Sequence, residues 1–198
     1  MAKTDTSVTE QPAGPLMRAD ARRSHARLLA AATAAFAEHG ADAPLEDIAR
    51  RAGVGIGTLY RHFPNRLDLQ EAVFRNQVDA VCAQGEELAS APSAGDAFAE
   101  WLRALSTYLV TKRGLAGALI AAHGRDSEVI SSCSQVMRGT AGRLLERAQE
   151  AGAVRPDLTS TDVMMLVHGV VVATERTPDQ ADRLLSLMLD GLRPRPGS

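Results

Sequence analysis

The segment between residues 48 and 63, IARRAGVGIGTLYRHF, constrains the fold more than any other part of this chain. A short helix with apolar residues on one side breaks near Gly53, and glycine suits a tight turn because it tolerates a positive φ. A second short helix follows, rich in side chains that form hydrogen bonds. Two short helices joined by a glycine-containing turn are typical of a helix-turn-helix whose second helix enters a DNA major groove.

The rest of the sequence predicts further helices. Apolar residues recur at helical spacing, and glycine or proline interrupts the pattern between segments. The clearest series starts at Phe98 and continues through Trp101, Leu102 and Leu105, which is the i, i+3, i+4, i+7 spacing of an amphipathic helix. No alternating pattern predicts a pair of strands. We therefore predict an all-α fold with about nine helices.

Positive charge is concentrated around the predicted helix-turn-helix. The formal net charge of the 198 residues is only −2, which argues against a protein that coats nucleic acid without specificity. Residues 18–66, however, carry eight arginines against five acidic residues, whereas residues 67–198 carry thirteen basic against seventeen acidic ones. A basic segment that coincides with the motif favours contact with DNA phosphates.

Composition argues against several other classes of protein. No run of eighteen apolar residues predicts a membrane span, and the first residues lack the pattern of a secretory signal. Cys82 and Cys133 are too few for a disulfide framework, and the histidines lack the spacing of a metal site. No nucleophile–base pair supports an enzyme. We expect a cytoplasmic protein that is not an enzyme and has no metal or cofactor.

The first third of the chain resembles the TetR family of one-component repressors. The matching motifs are LLAAA at 28–32, FAEHG at 36–40, IARRAGV at 48–54, GTLYRHF at 57–63, and Asn65-Arg66 with Leu69. The resemblance implies an N-terminal three-helix DNA-binding domain and a C-terminal helical domain that binds a ligand and dimerises. We expect a disordered arm over residues 1–17, the DNA-binding domain over 18–80, and the effector-binding and dimerisation domain over 81–198.

Two departures from the family pattern change the expected contacts. Ala43-Pro44 stands where a Thr or Ser usually caps the second helix and donates to a phosphate, so we expect that contact to be lost. Gly55-Ile56 replaces the usual Ser and polar residue at the start of the recognition helix. Gly55 still suits the N-cap position, whereas Ile56 is limited to apolar contact, for example with a thymine methyl group.

Arg61 is the best candidate for reading a base, because a guanidinium group binds guanine through two hydrogen bonds. Thr58 suits a phosphate or a thymine methyl group, and the resemblance implies phosphate contacts for Tyr60, His62 and Arg66. The basic start of the first helix suits a phosphate or a minor groove, although a solvated role stays open for it. The expected DNA-binding residues are Arg22, Arg23, Ile56, Gly57, Thr58, Tyr60, Arg61, His62 and Arg66.

The resemblance also implies a small-molecule site inside the C-terminal domain. Ligand pockets are mostly apolar with a few polar groups, and methionine packs adaptably around a ligand. Aromatic residues make up only 4% of the chain, yet three of them lie on one predicted helix. The expected pocket residues are Phe98, Trp101, Leu105, Tyr108, His123, Met137, Met164 and His168. For any one of them plain core is the commoner role, so we expect the set to be enriched in ligand contacts without every member being one.

The last two predicted helices are apolar on more than one side, so they have more apolar surface than their own core needs. Pairing across a two-fold axis explains the surplus and matches a palindromic operator. The expected interface residues are Val167, Val171, Leu185 and Met188. Membrane binding is the alternative for these helices, but the basic flank that it requires is missing.

The sequence thus predicts a homodimeric transcriptional repressor that binds a palindromic operator in double-stranded DNA and leaves it when a small hydrophobic effector binds. One alternative keeps the helix-turn-helix but gives control to a protein partner or to no effector. A second is an all-α enzyme or a small-molecule carrier with an incidental helix-turn-helix.

Overall fold

The computed structural model describes residues 15–124 and 127–194, and within these ranges the chain forms nine α-helices and no strand. The helices are α1 (Pro15–His39), α2 (Leu45–Arg51), α3 (Ile56–His62), α4 (Arg66–Leu88), α5 (Ala94–Thr111), α6 (Arg113–His123), α7 (Glu128–Glu150), α8 (Ser160–Ala173) and α9 (Ala181–Gly191). The prediction of an all-α fold with about nine helices is confirmed. Of the arm expected over residues 1–17, residues 1–14 lie outside the described residues. Residues 15–17 belong to α1, which begins at Pro15.

Helices α1, α2 and α3 form a three-helix unit around a small core. Leu28, Ile48 and Leu59 each supply a fully buried side chain to it, one from each helix. The turn between α2 and α3 contains Gly53 at φ 65°, where a residue with a Cβ would be strained. The N–H of Gly53 donates to the carbonyl oxygen of Arg50 at 3.1 Å and closes the turn. The helix-turn-helix therefore has the conformation that its sequence predicts.

Helix α4 belongs to both parts of the molecule. It packs against α1 at one end and against α5, α6 and α7 along the rest of its length. The boundary expected at residue 80 falls inside this helix. The helix-turn-helix and the C-terminal domain are consequently joined by one continuous helix.

The C-terminal domain packs closely where α4, α5 and α7 meet. Trp101 is fully buried there, and its Nε1–H donates to the carbonyl oxygen of Val81 on α4 at 3.0 Å. Gly85 on α4 faces the same indole. A Cβ at position 85 would lie 2.9 Å from Trp101 Nε1 and still closer to Cγ2 of Thr140 on α7. The absence of a side chain at Gly85 is what allows the three helices to approach.

Side-chain caps fix the start of the later helices. Thr159 and Asp162 form a reciprocal capping box at α8, in which each side chain accepts from the other residue's backbone N–H. At α5, the hydroxyl of Ser93 accepts from the backbone N–H of Asp96 at 3.3 Å, so this helix also begins with a side-chain cap. Among the described helices, none is long and apolar enough to span a membrane.

Candidate nucleic-acid interface and ligand cavity

Helix α3 presents its polar side chains to solvent because its apolar side is anchored. Leu59 is fully buried, and Phe63, just after the helix, is only 4% exposed. On the other side Tyr60 is 46% exposed and Ile56 is 38% exposed. Arg61 is also exposed and forms no ion pair with another described residue. The accessible side of this two-turn helix is the side that carries the predicted DNA contacts.

The N-terminus of α3 is open, as a helix that approaches DNA requires. Gly55 is the N-cap, in an extended conformation with φ −71°, as predicted from its position. Its carbonyl oxygen accepts from the N–H groups of Thr58 and Leu59 at 2.9 and 3.2 Å. A Cβ at Gly57 would meet nothing within 4 Å. Residues 55–57 are exposed and Thr58 is half-buried, so the first turn of α3 can be approached by a phosphate.

His62 lies at the end of α3 against α1. Its ring is 5.7 Å from that of His25 in an edge-on arrangement, and Phe63 packs beside both rings. Burial lowers the pKa of His62, and the nearby His25 and Arg61 lower that pKa further. The imidazole is therefore neutral near neutral pH, and a phosphate contact would use it as a neutral hydrogen-bond donor.

Arginines on α1 add to the positive surface next to α3. Arg22 is exposed and unpaired among the described residues, whereas Arg23 forms an ion pair with Asp20 on the same helix. Arg27 is a further cation on α1 that no sequence pattern singles out. Its NH1 lies 3.6 Å from the position that a Cβ on Gly53 would take, beside the helix-turn-helix turn. Only the folded turn brings Arg27 close to the motif.

Arg66 has partners different from the one that the resemblance implies. Its NH1 donates to the carbonyl oxygens of Ala41 and Ala43, at 3.2 and 2.6 Å. Gln70, one turn further along α4 and only 4% exposed, donates to the Ala41 carbonyl at 2.9 Å. These bonds fasten α4 to the α1–α2 turn. Both N–H bonds of NH1 are thus directed into the protein, and the phosphate contact expected of Arg66 stays a prediction for its other N–H groups.

A cavity of about 390 Å³ lies between α4, α5, α7 and α8 and is called the α4–α8 cavity below. Its lining is mostly apolar, with a few polar groups, which is the composition of small-molecule sites. The lining residues are Phe74, Val78, Tyr108, Leu109, Lys112, Cys133, Ser134, Met137, Arg138, Thr161, Met164, Met165, His168 and Gly169. A larger depression of about 1010 Å³ near the start of α5 and the end of α9 is lined mainly by short polar and loop residues.

Of the polar groups that line the α4–α8 cavity, Tyr108 is buried and Lys112 is half-buried, whereas Arg138, Thr161 and His168 are exposed. Lys112 Nζ lies 5.6 Å from the ring centre of Phe74 and 5.0 Å from that of Tyr108. Burial lowers the pKa of Lys112 and raises the pKa of both Tyr108 and Cys133. The phenol and the thiol are therefore neutral at physiological pH. The buried hydroxyl of Tyr108 has no hydrogen-bond partner among the described residues.

Both parts of the chain match family models. Residues 28–73 match the model described as "Bacterial regulatory proteins, tetR family", and residues 93–194 match "Transcriptional regulator SbtR-like, C-terminal domain". The chain belongs to the TetR family. The members of this family are DNA-binding transcriptional regulators, so the predictions of a DNA-binding regulator and of a non-enzyme are confirmed.

Solved TetR-family structures share the whole architecture. A TetR transcriptional regulator from Streptomyces coelicolor is 40% identical, with a TM-score of 0.76 over 85% of this chain and 98% of that one. A TetR transcription regulatory protein from Mycobacterium vanbaalenii is 33% identical, with a TM-score of 0.75 over 90% and 99% of the two chains. Among curated proteins, none matches the chain.

Half of the pocket residues predicted for this TetR-family chain line the α4–α8 cavity: Tyr108, Met137, Met164 and His168. The other four lie elsewhere, and the expectation is corrected for them. Trp101 and Leu105 are fully buried in the helix packing, and Phe98 borders the depression near α9. His123 lies outside the cavity, with its Nε2 2.7 Å from a carboxylate oxygen of Glu71 on α4.

The expected dimer residues also need correction. Val167, Val171 and Leu185 are at most 3% exposed in the single chain, so they have no surface left to bury against a partner, and Met188 is half-buried. The exposed apolar side chains of the last two helices are different ones: Met165, Leu166, Val172 and Leu187, at 68%, 42%, 50% and 54%. Together with an open apolar groove along α8, they form an apolar surface that we call the α8–α9 face.

No cluster of three or more potential metal ligands occurs in residues 15–124 and 127–194. Cys82 and Cys133 are both buried free thiols, and burial raises the pKa of each. A buried thiol with a raised pKa is a poor nucleophile and a poor metal ligand.

Proposed function

We propose that this regulator is a homodimeric repressor that leaves a palindromic operator when a small apolar or amphipathic ligand fills the α4–α8 cavity. The observation that carries the proposal is the course of α4. Its first turn is bonded to the α1–α2 turn through Arg66 and Gln70, and further along Phe74 and Val78 line the cavity. Residues 66 and 78 are about 18 Å apart along the helix.

This arrangement gives a physical route from cavity to DNA. A ligand that shifts the cavity side of α4 also shifts the turn to which α4 is bonded, and with it the position of α3. For release, the ligand must bind the DNA-free arrangement more tightly than the DNA-bound one, since equal affinity changes no population. Ligand contact with Phe74 or Val78 that differs between the two arrangements meets this requirement.

Operator binding is tested by selecting duplexes from a random pool with the full-length protein. We expect the selected sites to be palindromic, with half-sites one helical turn or a multiple of it apart. A library of hydrophobic compounds is then screened for release of a selected duplex. Failure to select any duplex contradicts the repressor proposal. Compounds that bind the cavity without release favour control by a protein partner or by no effector.

Trp101 gives this screen an optical signal that differs from direct quenching. It does not line the cavity, but its indole N–H is bonded to Val81 on α4. A ligand that shifts α4 should therefore change Trp101 emission through the loss or stretching of that bond. Release of DNA with unchanged Trp101 emission would show that α4 does not move near Val81.

We propose the α8–α9 face as the dimer interface. Its four large apolar side chains are exposed in the single chain, and burying them against a second copy removes that surface from water. Leu187→Glu and Leu166→Glu should give soluble monomers in sedimentation at micromolar concentration. Val136→Glu is the matched control, because Val136 is 53% exposed on α7, away from this face. A parental protein that sediments as a monomer would refute the interface.

A further inference from the structure

The α4–α8 cavity has an unbalanced charge. Two of its lining residues are basic, the half-buried Lys112 and the exposed Arg138, and none of the lining residues is Asp or Glu. This imbalance occurs in a chain whose formal net charge is −2. Lys112 is also unusual in identity, since the chain has twenty arginines and only two lysines. The ligand cavity of this acidic protein is therefore locally positive.

The ammonium group of Lys112 has aromatic neighbours and no carboxylate. Its Nζ lies over the rings of Phe74 and Tyr108, and within the described ranges no Asp or Glu oxygen lies within 4 Å of it. Arg75 and Asp79 on α4 influence the pKa of Cys133, which lines the same cavity, and neither forms an ion pair with Lys112 among the described residues. Aromatic faces stabilise a cation but accept no strong hydrogen bond from it.

The hydroxyl of Tyr108 is a second donor at this point, and it is a buried one. It is buried, lacks a hydrogen-bond partner among the described residues, and stays protonated because burial raises its pKa. A buried polar group without a hydrogen-bond partner is destabilising. Lys112 and Tyr108, which form a cation–π contact, thus place an ammonium group and a phenol O–H in the cavity. Neither group has a hydrogen-bond acceptor among the described residues.

We propose that the α4–α8 cavity binds an amphipathic carboxylic acid, whose carboxylate accepts hydrogen bonds from Lys112 and Tyr108 and whose apolar chain lies along Met137, Met164 and Met165. The proposal rests on the effector role of the cavity and specifies the chemistry of the effector. A neutral apolar ligand would bury both donors without an acceptor, and a cationic one would be repelled by Lys112 and Arg138. Methionine side chains adapt to an alkyl chain of variable shape.

Three probes with the same ten-carbon chain separate these possibilities: decanoate, decanol and decylammonium. Their binding to the full-length protein is measured by calorimetry below their micelle concentrations. We expect decanoate to bind about tenfold or more tightly than decanol, since a charge-assisted hydrogen bond provides that discrimination. Decylammonium should bind weakest. Equal affinity for decanoate and decanol, or absence of decanoate binding, overturns the proposal.

Variants at Lys112 test the residue itself. Lys112→Met keeps an unbranched side chain only one atom shorter, and it should lower decanoate affinity about tenfold while leaving decanol affinity unchanged. Lys112→Arg should retain most of the preference for decanoate. Arg103→Met is the matched control, because Arg103 is an exposed cation on α5 that does not line this cavity. Equal losses for decanoate and decanol in Lys112→Met would assign Lys112 a merely structural role.

A spectroscopic readout needs no substitution. Reductive methylation with ¹³C-formaldehyde labels the two lysines and the N-terminal amine, and Lys3→Arg removes the other lysine signal. Burial lowers the pKa of Lys112 in the free protein, with Tyr108, Cys133 and His168 as the titratable groups that line the same cavity. Bound decanoate should raise the pKa of the labelled amine, and decanol should not. An unchanged pKa with saturating decanoate contradicts the proposal.

The same samples keep the two proposals apart. If the protein binds a selected duplex but shows no preference for decanoate, the carboxylate assignment fails and the repressor proposal stands. If decanoate binds as expected but never releases the duplex, the cavity binds acids without controlling DNA, and the effector role fails. Failure to bind any duplex counts against the repressor proposal and leaves the calorimetric result to decide the carboxylate assignment.

Discussion

Gly85→Ala is the substitution whose consequence follows most directly from the packing. At an open helical position, replacing Gly by Ala stabilises a protein by about 0.5–1 kcal/mol, because the unfolded chain loses conformational freedom. At Gly85 the added Cβ would lie 2.9 Å from Trp101 Nε1 and closer still to Thr140 Cγ2. Both neighbours are buried between α4, α5 and α7, so neither moves aside freely. Overpacking of this kind destabilises by about 1–3 kcal/mol.

The measurement is a comparison with a glycine that has room. Gly142 lies on α7, and a Cβ there would meet nothing within 4 Å. Relative to Gly142→Ala, Gly85→Ala should be less stable by about 1–3 kcal/mol. In a chain of this length, that difference corresponds to a Tm that is lower by roughly 2–12 °C. Thr140→Ser, which deletes Cγ2, should restore part of the loss in Gly85→Ala. Thermal unfolding of both alanine variants is monitored by circular dichroism. Equal melting temperatures would refute this packing argument.

Three further substitutions test the DNA-binding part. Arg61→Ala should reduce discrimination at one operator position by about 1–3 kcal/mol in a competition assay with single-base variants, and unchanged specificity would exclude direct reading by Arg61. Arg66→Ala should lower the free energy of unfolding by about 1–3 kcal/mol and leave the salt dependence of DNA binding unchanged. A salt slope smaller by about one would instead support a phosphate contact by Arg66. Folding lowers the pKa of His62, so the folded state binds its proton less readily and the free energy of unfolding should fall as the pH drops below about 6.5. His62→Gln should flatten that fall, and a variant with the same pH profile as the parent would contradict this prediction.

The fold was predictable from the sequence because its signals are local. Helical periodicity and the interrupting glycines and prolines depend only on neighbouring residues, and so does the conformation at Gly53. Leu59 and Phe63 are buried as their spacing indicates, and half of the predicted pocket residues line the α4–α8 cavity. Features that depend only on the order of residues along one helix could therefore be predicted from the sequence.

The errors came from contacts between distant segments. From Val163 onward nearly every residue of α8 is apolar, so periodicity could not tell that Val167 and Val171 face their own core while Leu166 and Val172 face solvent. Trp101 was expected at a ligand site because it is aromatic, but its partner is a backbone carbonyl on α4 that no pattern reveals. Lys112 was overlooked since a single lysine at a helix end carries no motif.

The bonds between α4 and the α1–α2 turn have a consequence for exchanging parts between proteins. All of the donors are side chains on α4, and all of the acceptors are main-chain carbonyls, at residues 41 and 43. Substitutions in the turn therefore cannot delete an acceptor, provided that the backbone keeps its course. A foreign helix-turn-helix with the same turn geometry should be held by Arg66 and Gln70 whatever its side chains, so new operator specificities can be grafted without rebuilding the joint.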